Sequence, residues 1–315
     1  MSSEFINNQK VQEAILKTLA YFDIFSQPLT KSEILNFLFF PYKISDESLF
    51  YNLDYLVKNK KIELAYNFYF LKGKNENIKK RQLKVKVIEK KLAIMKKALS
   101  KISKIPFLRA VFVCNTVAMG VAENNSDIDL FIIAKKNYIW FVRFFTTIFL
   151  KASGLRTSKN KHKDKICLSF FAVDSQLNLE NLKLEKVIDI YLIYWILNLL
   201  PVYDPDNLYL SIRKANKWLD NYVYVSDKHY CLVDYLASTN SNSHKKFWEE
   251  KLKKNNFLEF FLRKLQWKKV REHYGFLADM LDSKVVISED FLKFHENDRR
   301  KEYYDKWLNK CQEVL

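Results

Sequence analysis

Two aspartates, two residues apart, are the side chains in this sequence best placed to do chemistry. Asp127 and Asp129 lie in the stretch ENNSDIDLFIIAKK and introduce the apolar run Leu130–Ile133. Side chains i and i+2 of a β-strand point to the same side, so we expect the two carboxylates to project together. Such charges repel strongly in a low-dielectric setting, which favours a divalent cation between them. Mg²⁺, bound by one or two carboxylates and by substrate phosphate oxygens, suits this pair.

The surroundings of the pair bear on this interpretation, because an Asp-x-Asp sequence is common by itself. The alternative is that SDID caps a strand and that both acids are hydrated at its edge. A strand, a turn with Gly120 and then Ser126 come before the pair, and a continuous apolar strand follows it. This context favours a metal site.

The stretch VCNTVAMGVAENNSDIDLFII resembles the signature of the nucleotidyltransferase superfamily that shares the DNA polymerase β fold. In that signature a strand ends in Gly-Ser, a turn carries a second Gly, and Asp-x-Asp opens the next strand. The resemblance covers roughly residues 109–203, and PVYDPDN (201–207) resembles the strand and turn that follow a helix in many members. It implies a small mixed sheet with flanking helices. It also implies transfer of a nucleoside monophosphate from a nucleoside triphosphate to a hydroxyl acceptor, with release of pyrophosphate.

The resemblance implies roles for individual residues. Asp127 and Asp129 would bind two Mg²⁺ ions, which activate the attacking hydroxyl and neutralise the leaving phosphates. The Gly-Ser pair of the family, which contacts the triphosphate, falls on Asn115–Thr116, and Gly120 and Ser126 would complete this nucleotide-binding segment.

Two departures from the family pattern stand out. Asn115 replaces the glycine that lets phosphates approach the backbone closely, although Thr116 keeps a hydroxyl. The family also carries a third carboxylate on a neighbouring strand. Within ICLSFFAVD (166–174) the middle of the strand offers Ser169, so the third catalytic acid is assigned to Asp174 at its end.

Other candidate side chains have simpler explanations. His162 suits a solvated loop, His295 a capping or packing role, and the aromatic residues Tyr191, Tyr194 and Trp195 suit a core. A group of lysines could line a triphosphate or acceptor channel or could belong to a hydrated loop: Lys135, Lys136, Lys159, Lys161, Lys163 and Lys165.

The elements before the pair begin with a helix–helix–helix–hairpin order over residues 9–73, which resembles a winged helix. The stretch TKSE predicts a capping box between Thr30 and Glu33, and Ser45 precedes a third helix. Residues 1–71 contain 7 Lys against 8 Asp and Glu, which argues against DNA reading by this segment, because groove-binding helices carry basic or amide side chains.

Positive charge is concentrated in two segments. Residues 72–104 carry 13 Lys and Arg against two Glu, and residues 151–165 carry six against one Asp, in a chain of net charge +17. Such segments suit phosphate-rich partners, nucleic acid included, and a solvated lysine-rich face is the alternative. Within the first segment an apolar stripe predicts an amphipathic helix packed on its own protein, formed by Val85, Ile88, Leu92, Met95, Leu99 and Ile102.

The whole chain of 315 residues is therefore expected to be an α/β (α+β) protein with four parts. These are a winged-helix-like domain (1–76), a basic amphipathic linker helix (77–104), a nucleotidyltransferase domain (105–206) and a helical C-terminal region (207–315). Strands are expected at 109–115, 127–134 and 166–173.

Composition and cysteine usage limit the cellular setting. Four scattered cysteines without a metal-ligand spacing, and an N-terminus without a signal-peptide pattern, favour a cytoplasmic protein with reduced thiols. The apolar stretches are too short to cross a membrane. The expected function is Mg²⁺-dependent nucleotidyl transfer to an RNA, protein or small-molecule hydroxyl. The alternative is a catalytically degenerate nucleotide sensor or a regulator that binds nucleic acid or protein.

Overall fold

The fold of the chain is given by a computed structural model that describes residues 7–158, 160–224, 243–253, 257–279, 285–294 and 298–315. The candidate residues Lys159 and His295 lie outside the described residues. Across the described part, no helix combines the length and apolar character needed to cross a membrane.

The N-terminal segment has the predicted order of three helices and a hairpin: α1 (Asn8–Asp23), α2 (Lys31–Phe37), α3 (Asp46–Lys58), β1 (Ile62–Ala65) and β2 (Phe68–Leu71). The capping box is confirmed, since the Glu33 backbone N–H donates to Thr30 Oγ1 at 3.3 Å and the Thr30 N–H donates to the Glu33 carboxylate at 2.8 Å. Ser45 caps α3 as predicted. A two-residue turn with positive φ joins the strands of the hairpin.

The basic linker is the helix α4 (Glu76–Ile102). The second half of its predicted apolar stripe is confirmed, because Met95, Leu99 and Ile102 are buried in the core beneath the central sheet. In the first half, Ile88 and Leu92 are partly buried against the same core, whereas Val85 is 51 % exposed. The predicted stripe therefore packs on the core from Ile88 onward.

A six-stranded mixed sheet forms the centre of the molecule, which confirms the α/β class. Its strands lie in the order β6-β3-β4-β5-β8-β7, and β4 and β5 are parallel while the other neighbours are antiparallel. The strands are β3 (Leu108–Val113), β4 (Ile128–Ala134), β5 (Ile166–Val173), β6 (Leu200–Tyr203), β7 (Val285–Ile287) and β8 (Phe291–Phe294).

The strands β7 and β8 correct the expectation of a purely helical C-terminal region. Both are short, and β8 pairs with the free edge of β5 through Phe291, Leu292 and Lys293. A three- or four-residue strand carries almost no periodic signal of its own, so the pairing with a distant edge decides its structure.

Helices cover both faces of the sheet. One face packs on α4, α6 and α10 and the other on α1, α7 and α11. The helices that follow α4 are α5 (Asn115–Ala118), α6 (Ile139–Ala152), α7 (Ile190–Leu197), α8 (Leu208–Ala215), α9 (Ser243–Lys253), α10 (Phe257–Asp279) and α11 (Arg300–Val314).

The helix α7 spans only eight residues, Ile190–Leu197. It begins after Asp189, whose carboxylate accepts the Leu192 N–H at 2.9 Å, and Leu200 already belongs to β6.

Candidate functional site

Asp127 and Asp129 flank Ile128, the first residue of β4. Ile128 is fully buried against the α6 face, so the strand alternation turns both carboxylates to the opposite face, where Phe131 and Ile133 pack. One oxygen of each carboxylate and the Sγ of Cys167 all lie within 4.8 Å of one another. The three side chains are only partly buried. The structure thus brings the two aspartates together at an accessible end of the central sheet.

Cys167 is a member of this cluster that the sequence did not indicate. It pairs with Asp129 across the parallel strands β4 and β5, and its thiol lies close enough to both carboxylates to lower their pKa values. Burial, followed by the charges of Asp129 and Asp127, raises the pKa of the thiol well above its ordinary value. The register of β5 on β4 decides this neighbour, and no local pattern reports a register between strands that are distant in sequence.

The two carboxylates cannot both be charged without cost. Burial, then the charge of Asp127, raises the pKa of Asp129 to about 7, although the neighbouring side chains of Asn115, Cys167 and Ser169 act in the opposite direction. Burial also raises the pKa of Asp127, while Lys91 and His162 lower it. Without a cation, the pair therefore keeps a proton up to roughly neutral pH.

Ser169 lies two residues beyond Cys167 on β5, close enough to Asp129 to lower the pKa of that carboxyl. Its side chain is only 3 % exposed. The hydroxyl forms no hydrogen bond of standard geometry with any residue that the structure describes. A buried hydroxyl that still has hydrogen-bonding capacity therefore lies beside the acidic pair.

Asn115, at the position of the family's glycine, is fixed by its neighbours. Its Oδ1 accepts hydrogen bonds from the Tyr191 hydroxyl at 3.1 Å and from Trp195 Nε1 at 2.9 Å, and its side chain lies close enough to Asp129 to lower the pKa of that carboxyl. Its φ is +55°, a left-handed conformation that asparagine tolerates better than most residues. Asn115 therefore holds a backbone conformation that a glycine would also adopt.

The other residues of the proposed nucleotide-binding segment build the loop. The Thr116 carbonyl accepts the Val121 N–H at 2.8 Å, and Gly120 turns the chain with a φ of +72°. The Ser126 hydroxyl accepts the Glu123 N–H at 2.9 Å. These contacts hold the loop between β3 and β4, and none of them involves the two carboxylates.

A buried lysine connects α4 to this loop. Lys91 is 0 % exposed, and its Nζ donates to the Ser126 carbonyl at 2.6 Å and to Asp164 Oδ1 at 3.0 Å. The exposed Lys90 donates to Asp164 Oδ2 at 2.6 Å. The two basic segments of the sequence, 72–104 and 151–165, are therefore neighbours beside the acidic pair.

Asp174, the expected third catalytic acid, lies at the other end of the sheet. It follows Val173, which pairs with Ala134, whereas Asp129 pairs with Cys167. Asp174 therefore lies seven residues beyond Cys167 along the strand direction, or about 23 Å. Asp174 accepts the Lys136 N–H at 2.9 Å and forms an ion pair with Arg109 at 3.7 Å. The structure does not bring it to the pair, because β4 and β5 run in the same direction.

A cavity of about 150 Å³ opens beside Asn115. The rings of Tyr191 and Tyr303 stack at 5.1 Å with an interplanar angle of 10°, so the expectation that Tyr191 belongs only to the core is incomplete. The charged residues of the cavity form ion pairs: Arg300 pairs with Asp189 and with Asp298, each at 2.7 Å. The lining residues are Asn115, Phe170, Leu182, Tyr191, Leu192, Trp195, Lys293, Asp298, Arg299, Arg300 and Tyr303.

Comparison with known proteins gives no relative. No family model matches the chain, and neither the curated proteins nor the solved structures contain a match.

Proposed function

We propose that the protein is a divalent-metal-dependent nucleotidyltransferase that transfers a nucleoside monophosphate from a nucleoside triphosphate to a hydroxyl acceptor and releases pyrophosphate. The observation that carries the proposal is the convergence of Asp127 and Asp129 within 4.8 Å at an accessible end of the central sheet. The mixed sheet, with β3 antiparallel and β5 parallel to β4, is consistent with the polymerase-β-like fold that the signature implies.

The donor set fits one Mg²⁺ ion. Mg²⁺ needs one or two carboxylates and fills its remaining positions with water and phosphate oxygens, which Asp127 and Asp129 can satisfy. When bound, the ion supplies charge neutralisation of the triphosphate and activation of the acceptor hydroxyl. A second ion is supported less well, because Cys167 and Ser169 occupy the strand positions that face Asp129.

The residues around Asn115 suit the nucleoside part of the substrate. The tyrosine rings of the cavity and Trp195 provide flat surfaces on which a nucleobase can stack. The side chain of Asn115 lies between this cavity and Asp129: it accepts hydrogen bonds from Tyr191 and Trp195, and it lowers the pKa of Asp129. A nucleotide that occupies the cavity would thus place its phosphates towards the pair.

The arrangement of positive charge supports nucleic acid as the acceptor. Lys90 and Lys91 join α4 to the loop 151–165 through Asp164, so two basic segments form one surface next to the pair. If the surface contacts three phosphates of a single strand, a rise in salt from about 50 to 200 mM should weaken binding roughly 20-fold.

This acceptor is tested with a single-stranded RNA oligonucleotide, without nucleotide or metal, so the result does not depend on turnover. Changing three exposed lysines of the surface to glutamate should reduce the salt dependence, whereas the same change at three exposed lysines of the N-terminal segment should not. Binding that ignores salt would refute a nucleic-acid acceptor. The surface set is Lys86, Lys90 and Lys97, and the control set is Lys10, Lys43 and Lys61.

The second candidate function is a nucleotide sensor without turnover. It is favoured by the position of Asp174 at the other end of the sheet, which leaves the pair without a third carboxylate among the residues that the structure describes. Calorimetry with each nucleoside triphosphate and Mg²⁺, together with an assay of pyrophosphate release, separates the two functions. Binding without release would favour the sensor.

Variants at the site give the decisive comparison. Asp127→Asn and Asp129→Asn should reduce pyrophosphate release to background, whereas Asp174→Asn should retain it, because Asp174 lies about 23 Å from the pair along the sheet. Cys167→Asp places a third carboxylate opposite Asp129 and should increase Mg²⁺-dependent turnover. Retained turnover in either pair variant would reject the proposal.

A further inference from the structure

We propose that Asp127, Asp129 and Cys167 form a mixed carboxylate–thiolate site that binds a borderline divalent cation such as Zn²⁺ in preference to Mg²⁺. The site is that of the proposed function, and the inference rests on that function only for the catalytic use of the ion. Binding of the ion by itself requires no nucleotide and no turnover.

The geometry allows a single ion to reach all three side chains. Their ligand atoms lie within 4.8 Å of one another, and bonds from Zn²⁺ to sulfur and oxygen are about 2.0 to 2.3 Å long. An ion at the centre therefore needs the three atoms to move by about 1 Å. Asp129 and Cys167 face each other on paired strands, so their backbones are already held at the right separation.

The chemistry of the third donor distinguishes between the ions. Mg²⁺ is a hard cation that takes oxygen ligands in near-octahedral geometry. A thiolate is a soft ligand that favours zinc and similar ions over magnesium. A carboxylate at position 167 would make the cluster an all-oxygen site, whereas the cysteine selects against Mg²⁺. The preference for zinc over magnesium therefore depends on one residue, Cys167, which the register of β5 on β4 places opposite Asp129.

Ser169 gives a separate indication that the cluster has a ligand. Its hydroxyl is buried, lies beside Asp129, and makes no hydrogen bond with any residue in the described part of the chain. A buried polar group without a partner costs about 1–3 kcal/mol. A water molecule bound to the ion would satisfy this hydroxyl. Asn115, which lies beside Asp129 and lowers the pKa of that carboxyl, would help to orient this ligand, as outer residues of metal sites do.

Charge and atoms balance on binding. The S–H bond of Cys167 breaks and a metal–sulfur bond forms, and the thiol proton passes to solvent together with the proton that the carboxylate pair holds without a cation. Two carboxylates and one thiolate carry one more negative charge than the ion carries positive. Lys91 and His162, which already lower the pKa of Asp127, lie on the Asp127 side of the cluster.

The test uses Co²⁺, because a thiolate bound to Co²⁺ gives a charge-transfer absorption band in the near ultraviolet. The full-length, metal-free protein is titrated with Co²⁺ without nucleotide, and Zn²⁺ and a large excess of Mg²⁺ then compete. We expect the band to appear with Co²⁺, to disappear with Zn²⁺ and to survive Mg²⁺. The absence of the band, or its loss to Mg²⁺, would overturn the proposal.

Two cysteine variants provide the matched comparison. Cys167→Ser should abolish the band and weaken Zn²⁺ binding at least about 100-fold. Cys114→Ser should leave both unchanged, since Cys114 is buried near Asp129 but does not belong to the cluster. A band that survives in Cys167→Ser would refute the assignment.

A third variant covers misfolding and separates the two proposals. Cys167→Asp keeps a metal ligand at the position, and it should lose the Co²⁺ band while gaining Mg²⁺ affinity. A Co²⁺ band without pyrophosphate release would reject nucleotidyl transfer and leave the metal site intact. Mg²⁺-dependent pyrophosphate release by the wild type without a Co²⁺ band would reject the mixed metal site and leave nucleotidyl transfer intact.

Discussion

Replacing Asp129 by asparagine should stabilise the metal-free protein above neutral pH. The proximity of Asp127 and partial burial raise the pKa of Asp129 from an ordinary 3.8 to about 7. The folded protein therefore holds a proton that the unfolded chain releases at lower pH. Stability falls as the pH rises between these two values, and the loss is complete above about pH 7. Asparagine has nearly the same shape and does not titrate.

The size of the effect follows from the shift. A rise of about three pKa units corresponds to about 4 kcal/mol of lost stability when the carboxylate is forced to ionise. About 2 kcal/mol of this is already lost at pH 5, because that pH lies above the unfolded pKa. The stability gained by Asp129→Asn should therefore increase by about 2 to 3 kcal/mol between pH 5 and pH 8.

Urea unfolding with a chelator at pH 5, 6, 7 and 8 measures this difference. The control is Asp305→Asn, a change at an exposed position of α11, which should show no such pH dependence. Zn²⁺ should stabilise the wild type and have little effect on Asp129→Asn, because the ion binds the folded site and shifts the folding equilibrium by mass action. A difference that does not change with pH, or a variant that is less stable at pH 8, would refute the electrostatic argument.

Three further tests concern residues that stabilise the site and the fold. Lys91→Met should cost about 3 kcal/mol, because it leaves Asp164 without its buried partner, whereas the exposed Lys90→Met should cost less than about 1 kcal/mol; equal losses in urea unfolding would contradict this. Tyr66→Asn should stabilise the protein by about 1 kcal/mol, since Tyr66 is 82 % exposed with a φ of +51°, and a lower melting temperature would count against it. Glu259→Ala should cost about 1 kcal/mol, because its carboxylate accepts two backbone N–H groups at the start of α6; unchanged stability would contradict this.

Local sequence features predicted the local structure well. The capping box of Thr30 and Glu33 and the cap at Ser45 depend on residues three apart, and the structure contains both. The hairpin around Tyr66–Asn67 and the strand around Asp129 also lie where apolar and turn residues place them. Each of these features depends on contacts with sequence neighbours, so the sequence displays them directly.

Features that depend on distant contacts could not be predicted in the same way. The strands β7 and β8 exist because the edge of β5 accepts them. Lys91 was one lysine of a basic helix in the sequence, and only the packing of α4 against the loop at Asp164 shows that it is buried. The assignment of Asp174 failed to place it near the pair because the direction of β5 relative to β4 is not written in either strand.

The sequence by itself determined that two aspartates open a central strand, since alternation along one strand places both on one face. Only the tertiary structure decided that Cys167 faces Asp129, that Ser169 lies beside it and that Asn115 links the pair to an aromatic cavity. The physical reason is that strand register and the burial of ionisable groups are set by packing between segments far apart in the chain. A side chain becomes a ligand, a cap or a buried charge only through such neighbours.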